Sequence, residues 1–338
     1  MFYAFGSNGS GQLGLGHTED VSSPQLVSIE GNPAPWTVKQ LAAGGNHTVI
    51  LCDDGGVRVT GNNEDGRCGL KSTKQVTHFF DIELPVDEAS GKLIEVVGVA
   101  AGWSTTFLLS STGVVYVCGS GSDGELGLGH GLTQAESLQQ IPGLGGPGAD
   151  VVAITSGMAH TVALLSNGEL HGWGKGRRGQ LGDSVDAVWQ PQVIPGIAFK
   201  ASQVVCGKDF TIVAGRPDTG DLIVLGAHKD DRFRVAADAP TSVHSWRSIA
   251  ASWGSGYILE STGDITAWGR NDHGQLPAED LPKTQALAAG SEHCLALMNN
   301  GQVAAWGWGE HGNCGTPLDA RGDVKAAYNT IEVLHPNG

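Results

Sequence analysis

AWGWGEHGNCG, residues 305–315, alternates glycines with aromatic side chains and then turns through a second glycine-rich segment. The same eleven-residue frame recurs along the chain, and six of its seven copies have glycine at the third and eighth positions. The other copies are AFGSNGSGQLG (4–14), VTGNNEDGRCG (59–69), VCGSGSDGELG (117–127), GWGKGRRGQLG (172–182), the degraded VLGAHKDDRFR (224–234) and AWGRNDHGQLP (267–277). Recurrence on this scale identifies a repeat protein built from one structural unit.

A second pattern alternates with the frame and consists of small apolar residues, a bend residue and a short apolar run. Small residues let strands crowd near an axis and glycine permits a bend, so each copy is predicted to form the inner part of a blade. The copies are LAAGGNHTVIL (41–51), VAAGWSTTFLL (99–109), ITSGMAHTVAL (154–164), VVCGKDFTIVA (204–214), IAASWGSGYIL (249–259), LAAGSEHCLAL (287–297) and VKAAYNTIEVL (324–334).

Between these inner strands and the next frame, six residue pairs end in glycine and predict tight hairpin turns of type I′. They are Asp54-Gly55, Thr112-Gly113, Asn167-Gly168, Thr219-Gly220, Thr262-Gly263 and Asn300-Gly301. Three or four short strands in each unit of about 37–58 residues match propeller blades and exclude helical solenoids.

Seven frames and seven inner strands predict an all-β, seven-bladed β-propeller that forms a single domain over residues 1–338. The chain starts with a frame and ends with an inner strand. Residues 324–334 are therefore predicted to pair with the blade begun by residues 2–14. This pairing of N-terminal and C-terminal strands closes the ring and leaves no open sheet edge.

The composition limits the classes of function. The formal net charge of −15 disfavours DNA and anionic membranes as partners, since such a surface repels phosphate groups. Six cysteines without a CxxC pair, no secretion signal and no 18-residue apolar run predict a cytoplasmic or nuclear protein without disulfides, structural zinc or a membrane span.

The frame and the inner strand together resemble the regulator-of-chromosome-condensation repeat, which implies a seven-bladed propeller. Within that family the chain is most similar to the small fungal α-tubulin suppressor group, also called killer-toxin-insensitivity proteins. The resemblance rests on YAFGSNG (3–9), GQLGLGH (11–17), GGNH (44–47), GW (102–103), GKDF (207–210), GSEH (290–293) and WGWGEHGNCG (306–315). The frame at residues 224–234 departs from the family pattern because it lacks GxxGQLG.

This resemblance implies a non-enzymatic scaffold that forms a heterodimer with a small CSL-type zinc-binding protein, which can also carry iron. The heterodimer would serve diphthamide synthesis on the translocating elongation factor and Elongator-dependent modification of tRNA wobble uridines. Elongator or diphthamide-synthesis subunits would be contacted only indirectly. The chain itself is expected to bind no metal and no cofactor.

Tryptophans outside the repeat register are the strongest candidates for a protein-binding site, because exposed tryptophan is typical of interface hot spots. Packing over the central channel is the alternative explanation. The frame tryptophans Trp173, Trp268 and Trp306 are predicted to lie in the core instead. With the charged residues beside them, the predicted protein-binding residues are Trp103, Lys208, Asp209, Trp253, Glu292, His293, Trp308, Glu310 and His311.

Other motifs have structural explanations. GxGxxG at residues 119–124, 174–179 and 307–312 recurs in phase with the frame and precedes no helical pattern, so turn glycines are favoured over dinucleotide binding. His47, His160 and His293 share one repeat position and are interpreted as structural hydrogen-bonding residues. The basic segments 175–178 and 229–234 are interpreted as solvated loops.

A guanine nucleotide exchange factor for a small GTPase is the alternative function, since the founding family member has that activity. Such a factor inserts a loop or β-wedge at the nucleotide site, and residues 132–150 are the candidate wedge. Chromatin binding is disfavoured by the net charge of −15 and by the lack of a basic tail.

Overall fold

A computed structural model describes residues 2–29, 32–33, 36–71, 74–87, 90–146, 148–183, 186–227 and 230–332. Every regular element in these residues is a β-strand. The strands are β1 (Tyr3–Gly6), β2 (Val21–Leu26), β3 (Ser28–Ile29), β4 (Asn32–Pro33), β5 (Val38–Ala43), β6 (His47–Cys52), β7 (Val57–Asn62), β8 (Gln75–Asp81), β9 (Val96–Ala101), β10 (Thr105–Ser110), β11 (Val115–Ser120), β12 (Gln134–Gln140), β13 (Val151–Ser156), β14 (His160–Leu165), β15 (Leu170–Lys175), β16 (Ala187–Val193), β17 (Gln203–Cys206), β18 (Phe210–Ala214), β19 (Leu222–Gly226), β20 (Trp246–Ala251), β21 (Ser255–Glu260), β22 (Ile265–Gly269), β23 (Thr284–Ala289), β24 (His293–Met298), β25 (Val303–Trp308) and β26 (Asp323–Ile331).

Six antiparallel sheets form the blades of a propeller. In each sheet, the strand that comes first in the sequence lies nearest the central channel. Blades one, two, three and six have four strands and are formed by β5–β8, β9–β12, β13–β16 and β23–β26. Blades four and five have three strands, β17–β19 and β20–β22. The prediction of an all-β propeller is confirmed, but the described residues form six blades of three or four strands where seven were predicted.

The C-terminal strand explains the difference in blade number. β26 pairs with β25 as the outer strand of blade six, with Ile331 opposite Val303, so the predicted inner strand at 324–334 and its pairing with residues 2–14 are wrong. The segment directly follows a frame, where outer strands lie, and it lacks the glycine or serine bend of the inner strands. Residues 333 and 334 of that prediction lie outside the described residues.

β1 and β2 form a two-stranded sheet between blades six and one. The loop after β1 packs on blade one, where Gly11 lies against Thr77, and the frame loop of blade six packs on β2, where Gly312 lies against Val21. Frame loops elsewhere pack in the same way on the outer strand of the next blade, as Gly124 does on β16. β1 and β2 therefore occupy the place of the two outer strands of a seventh blade.

Among the described residues, no strands occupy the place of the two inner strands of this seventh blade. Leu41 on β5 is 48% exposed, whereas Val99, at the equivalent position of blade two, is 5% exposed because blade one covers it. On the other side of the gap, Leu297 of β24 is also exposed. Blades one and six consequently each present one uncovered face.

The hairpin turns contain the predicted glycines but not the predicted turn type. Only the glycine of each pair has a positive φ, between 75° at Gly220 and 88° at Gly263, whereas type I′ requires positive φ at both central residues. In blade one the Gly55 N–H donates to the Cys52 carbonyl oxygen with an N···O distance of 3.1 Å. The loop is therefore a tight turn closed by one left-handed glycine.

Three frame tryptophans lie in the core between blades, as the repeat register predicts. Trp173 and Trp306 are fully buried and Trp268 is nearly so. The indole N–H of each donates to a carbonyl oxygen of the preceding blade. The bonds run from Trp173 Nε1 to Glu125 (3.0 Å), from Trp268 Nε1 to Val235 (2.8 Å) and from Trp306 Nε1 to Gln275 (2.9 Å).

Two of the repeat histidines also link neighbouring blades. Nε2 of His47 lies 2.9 Å from Oγ1 of Thr106, and Nε2 of His160 lies 2.9 Å from Oγ1 of Thr211. Desolvation by burial lowers the pKa of His47 to about 3 and that of His160 to about 4. His293, at the equivalent position of blade six, has no side-chain hydrogen bond within the described residues, and burial lowers its pKa to about 4.

Acidification should destabilise the propeller through these two histidines. Their folded pKa values lie below the unfolded value of ~6.5, so the unfolded chain binds more protons. The stability contribution is complete above that value and is lost as the pH falls towards the folded pKa. We expect a loss of about 2 kcal/mol per histidine between pH 7 and pH 5, measured by urea unfolding. His160→Gln should flatten this dependence, and an unchanged slope in that variant would contradict the assignment.

Candidate protein-binding face

Six bends, one from each blade, surround the mouth of the central channel. Each bend joins the first two strands of its blade, and its glycine packs against the ring three positions later in several copies. A Cβ atom at Gly44 would overlap the ring of His47, and one at Gly207 would overlap the ring of Phe210. The repeated spacing of glycine and ring is thus a packing requirement, and it holds the bends close to the axis.

The second residues of two bends meet across the mouth. Trp103 of blade two and Trp253 of blade five have ring centroids 5.5 Å apart, with planes tilted by 45°. Nζ of Lys208, from the bend of blade four, lies 5.1 Å from the centroid of the Trp253 ring. Trp103, Trp253 and Lys208 are called the tryptophan cap below. Its large aromatic surface with a cation at the edge is typical of a protein-binding anchor.

The backbone holds the tryptophan cap in place. The Gly45 N–H donates to the Trp103 carbonyl oxygen at 3.0 Å, and the Trp253 N–H donates to the Ser291 carbonyl oxygen at 2.9 Å. A cavity of about 350 Å³ adjoins the cap and is lined mainly by small residues at the ends of the inner strands. The cap is therefore preorganised, which lowers the entropy cost of binding.

Three other predicted residues lie close to the mouth in different environments. Asp209 is half-buried beside Lys208, and His293 lines the channel cavity. Glu292 is buried, forms an ion pair with Arg270 and accepts a hydrogen bond from Gln275 Nε2 at 2.7 Å. The Glu292 carboxylate thus joins blades five and six from within.

Trp308, Glu310 and His311 form a separate group on the same face, called the rim group below. The Trp308 ring lies 5.4 Å from the His311 ring and 6.2 Å from the His273 ring. His311 Nδ1 is 2.9 Å from Asp20 Oδ2, which links blade six to the loop before β2. These three residues do not line the channel cavity.

Sequence reasoning missed two residues of the mouth. Met158 occupies the bend position equivalent to Trp103 and Trp253, and comparison of the six bends would have found it. Arg67 donates from Nη1 to the Trp103 carbonyl oxygen at 3.2 Å and pairs with Asp65 at 2.7 Å. Arg67 stands at the ninth frame position, where three other copies have glutamine, and this difference could have identified it from the sequence.

The candidate wedge at residues 132–150 runs from one end of blade two to the other, starting near Thr133, which lines a cavity together with Trp103. Its first part is β12, the outer strand of blade two. The following loop lies at the opposite end of the blade, where Asp150 packs against Gly113 of the hairpin turn. Residue 147 lies outside the described residues. The described part of the loop after β12 therefore lies at the end of the blade opposite the channel mouth.

The GxGxxG segments form turns of the frame loops, and no helix follows them in the described part of the chain. Among the described residues, no group of three or more His, Cys, Asp or Glu side chains is arranged to hold a metal ion. The same residues include no helix long and apolar enough to cross a bilayer. His228 and Lys229, in the degraded frame and the second basic segment, lie outside the described residues.

The fold is a propeller of repeated blades, with the tryptophan cap at the mouth of its channel. A family model for the RCC1-like domain matches residues 1–333, and the chain belongs to that family.

Similar proteins include named regulators. The secretion-regulating guanine nucleotide exchange factor of Bos taurus is 34% identical over 295 residues, which cover 81% of this chain and 60% of that protein. An RCC1 repeat-containing protein of Schizosaccharomyces pombe is 31% identical over 309 residues, covering 87% of this chain and 83% of its own length. This chain thus spans about three fifths of the bovine relative.

A solved structure supports the fold. Prp20p of Saccharomyces cerevisiae, described with its binding properties to Gsp1p and histones, superposes with a TM-score of 0.81. The alignment covers 98% of this chain and 85% of Prp20p at 22% identity, a level that supports the fold alone. The α-tubulin suppressor group, the CSL-type partner and the cytoplasmic or nuclear location stay predictions.

Proposed function

We propose that this chain is a guanine nucleotide exchange factor that binds a small GTPase over the channel mouth. The observation that carries the proposal is the tryptophan cap in a chain 34% identical to a protein named as an exchange factor. This reverses the order of the two functions predicted from sequence, in which the scaffold came first. The chain would act by binding alone, without covalent chemistry.

An exchange factor must bind the nucleotide-free GTPase more tightly than the nucleotide-bound form, since only differential affinity shifts an equilibrium. GTPases hold the nucleotide phosphates with backbone N–H groups and a lysine. A chain with a net charge of −15 repels those phosphates and attracts the lysine that they release. The tryptophan cap would supply the aromatic contacts that select the GTPase.

The test is release of a fluorescent GDP analogue from Ran-type and Rab-type GTPases, with the full chain at substoichiometric concentration. The proposal expects faster release from one GTPase class, a complex that is stable without nucleotide, and dissociation of that complex when GTP is added. Release at the intrinsic rate from every GTPase in both classes would overturn it.

The rim group favours the scaffold as a second candidate function, because WGWGEHGNCG, a main part of the fungal resemblance, lies there. Trp308 is half-buried between two imidazole rings, and Glu310 beside it is exposed. A small CSL-type metal protein would bind this surface, and the chain would shield the metal that the partner carries.

Trp308→Ala combined with Glu310→Lys should abolish capture of a CSL-type zinc protein by the purified chain. The first change removes the aromatic anchor and the second reverses an exposed charge, while neither touches the core. Capture is measured by size-exclusion chromatography of the two purified proteins. Undiminished capture by the double variant would exclude the rim group as the binding surface.

A further inference from the structure

A cavity of about 420 Å³ lies between blades two and three, beside Trp103 of the tryptophan cap. The frame loop of blade two supplies Ser120, Ser122 and Glu125 to its wall, and the bend of blade three supplies Ala159. Hydroxyl groups and one carboxylate thus face a space large enough for a long side chain. Among the predicted residues, Trp103 of the protein-binding set and Thr133 of the candidate wedge line this cavity.

Glu125 departs from the repeat at the ninth frame position. Gln12, Gln180 and Gln275 stand at this position in other frames, and Oε1 of each accepts the backbone N–H two residues earlier, at 2.9–3.0 Å. Glu125 makes the same bond, since its Oε2 accepts the Asp123 N–H at 2.7 Å. An amide would therefore satisfy the local fold equally well. The negative charge is not needed for the loop conformation.

The Glu125 carboxylate lacks a cationic partner within the described residues, because no lysine or arginine lies within ion-pair distance of it. Burial raises the pKa of this carboxyl group, hydrogen bonds from the backbone N–H groups of Glu125 and Asp123 lower it, and of the charged neighbours the Asp123 carboxylate raises it and Lys175 lowers it. A half-buried carboxylate beside another acid is stabilised when a cation binds next to it.

In the equivalent space between blades five and six, an arginine side chain of the chain itself pairs with carboxylates. Arg270, at the frame position of Ser120, extends into it and is largely buried. Its guanidinium pairs with Glu292 of the blade-six bend and with Asp272, where the Nε to Oδ1 distance is 2.6 Å. Between blades two and three, Ser120 replaces the arginine and Ala159 replaces the bend glutamate. The cavity thus corresponds in position to the space that Arg270 occupies between blades five and six.

We propose that the cavity between blades two and three binds an arginine side chain of the partner protein, with Glu125 pairing its guanidinium. The proposal rests on the proposed function in one respect, namely that the arginine belongs to the protein bound at the mouth. Arginine fits better than lysine, because its planar donors reach a carboxylate and hydroxyls together and its face stacks on an aromatic ring such as Trp103.

The test uses N-acetyl-arginine amide as the probe and the full chain labelled with ¹⁵N. Saturable shifts of the Trp103 indole N–H signal are expected. The neutral isostere N-acetyl-citrulline amide should bind at least about tenfold more weakly, because a charge-assisted hydrogen bond is lost. Equal binding of the two amides, or no saturable shift, would overturn the proposal.

Two variants keep the result independent of folding. Glu125→Gln restores the amide of other frames, so the fold is retained, and it should weaken arginine amide at least about tenfold. Ser120→Arg with Ala159→Glu rebuilds the blade-five arrangement and should abolish binding by filling the cavity. Unchanged affinity in either variant would refute the site.

The partner's role is decided separately from the existence of the site. In the GTPase release assay, Glu125→Gln should raise the concentration of chain needed for half-maximal acceleration at least about tenfold. An unchanged concentration would refute the partner arginine even where arginine amide binds. Absence of exchange activity in the natural chain would overturn the proposed function, while the amide titration would still decide whether the cavity binds arginine.

Discussion

Replacing Trp103 and Trp253 together by alanine should lower the catalytic efficiency of nucleotide exchange at least about 100-fold. Central aromatic anchors each contribute about 2 kcal/mol or more to binding, and ~1.4 kcal/mol corresponds to a tenfold change. The two rings contact each other across the mouth, and Trp103 is 39% exposed, so their removal leaves the blade cores intact. The measurement is GDP release as a function of the concentration of the chain.

Trp189→Ala is the matched control. Trp189 is also a half-buried tryptophan, but it lies on an outer strand of blade three and stacks on His130. It should leave exchange unchanged. Equal loss in the control and the double variant would attribute the effect to general destabilisation, and full activity in the double variant would place the binding surface elsewhere.

Trp306→Ala should destabilise the chain by about 3–5 kcal/mol, a large part of the ~5–15 kcal/mol typical of a folded domain. Trp306 is fully buried, and its loss leaves a large cavity between blades five and six. The measurement is the free energy of unfolding from urea titration. We expect the variant to unfold partly or fully at 37 °C.

Two substitutions bracket this effect. Trp306→Phe keeps a ring in place and should cost about 1–2 kcal/mol, since the Gln275 carbonyl oxygen still accepts the Tyr257 hydroxyl at 2.9 Å. Trp308→Ala, two residues away but on the surface, should cost less than about 1 kcal/mol. A cost at Trp308 equal to that at Trp306 would contradict the assignment of one residue to the core and the other to the rim group.

The repeat made the propeller predictable, because the frame and the inner strand each carry a physical requirement. Gly44 and Gly207 must be glycine to admit the rings beside them, and Trp173 and Trp306 must be apolar to fill the space between blades. Such requirements recur at fixed spacing and are visible in one sequence. Blade number depends on pairing between distant segments, and β26 resembles an inner strand in composition alone.

The candidate site was only partly predictable for a similar reason. Trp103 and Trp253 stand out because they break the repeat, and the structure brings them together. Trp308 breaks the repeat equally but lies at the rim, since it is the last residue of β25 and does not belong to a bend. Glu125 was not predicted, because its side chain differs from glutamine by a single heavy atom. Its proposed role is visible only from the cavity that it lines.

The two-stranded sheet β1–β2 joins blade six to blade one in place of a complete seventh blade within the described residues. Within the described residues the blades therefore form a row of units with two ends, and the stability of such a row is the sum of unit and neighbour terms. The largest buried cluster runs from Ala100 to Leu225, through blades two to four. Fraying should start at blades one and six and reach this central segment last, much as a helix frays from its termini.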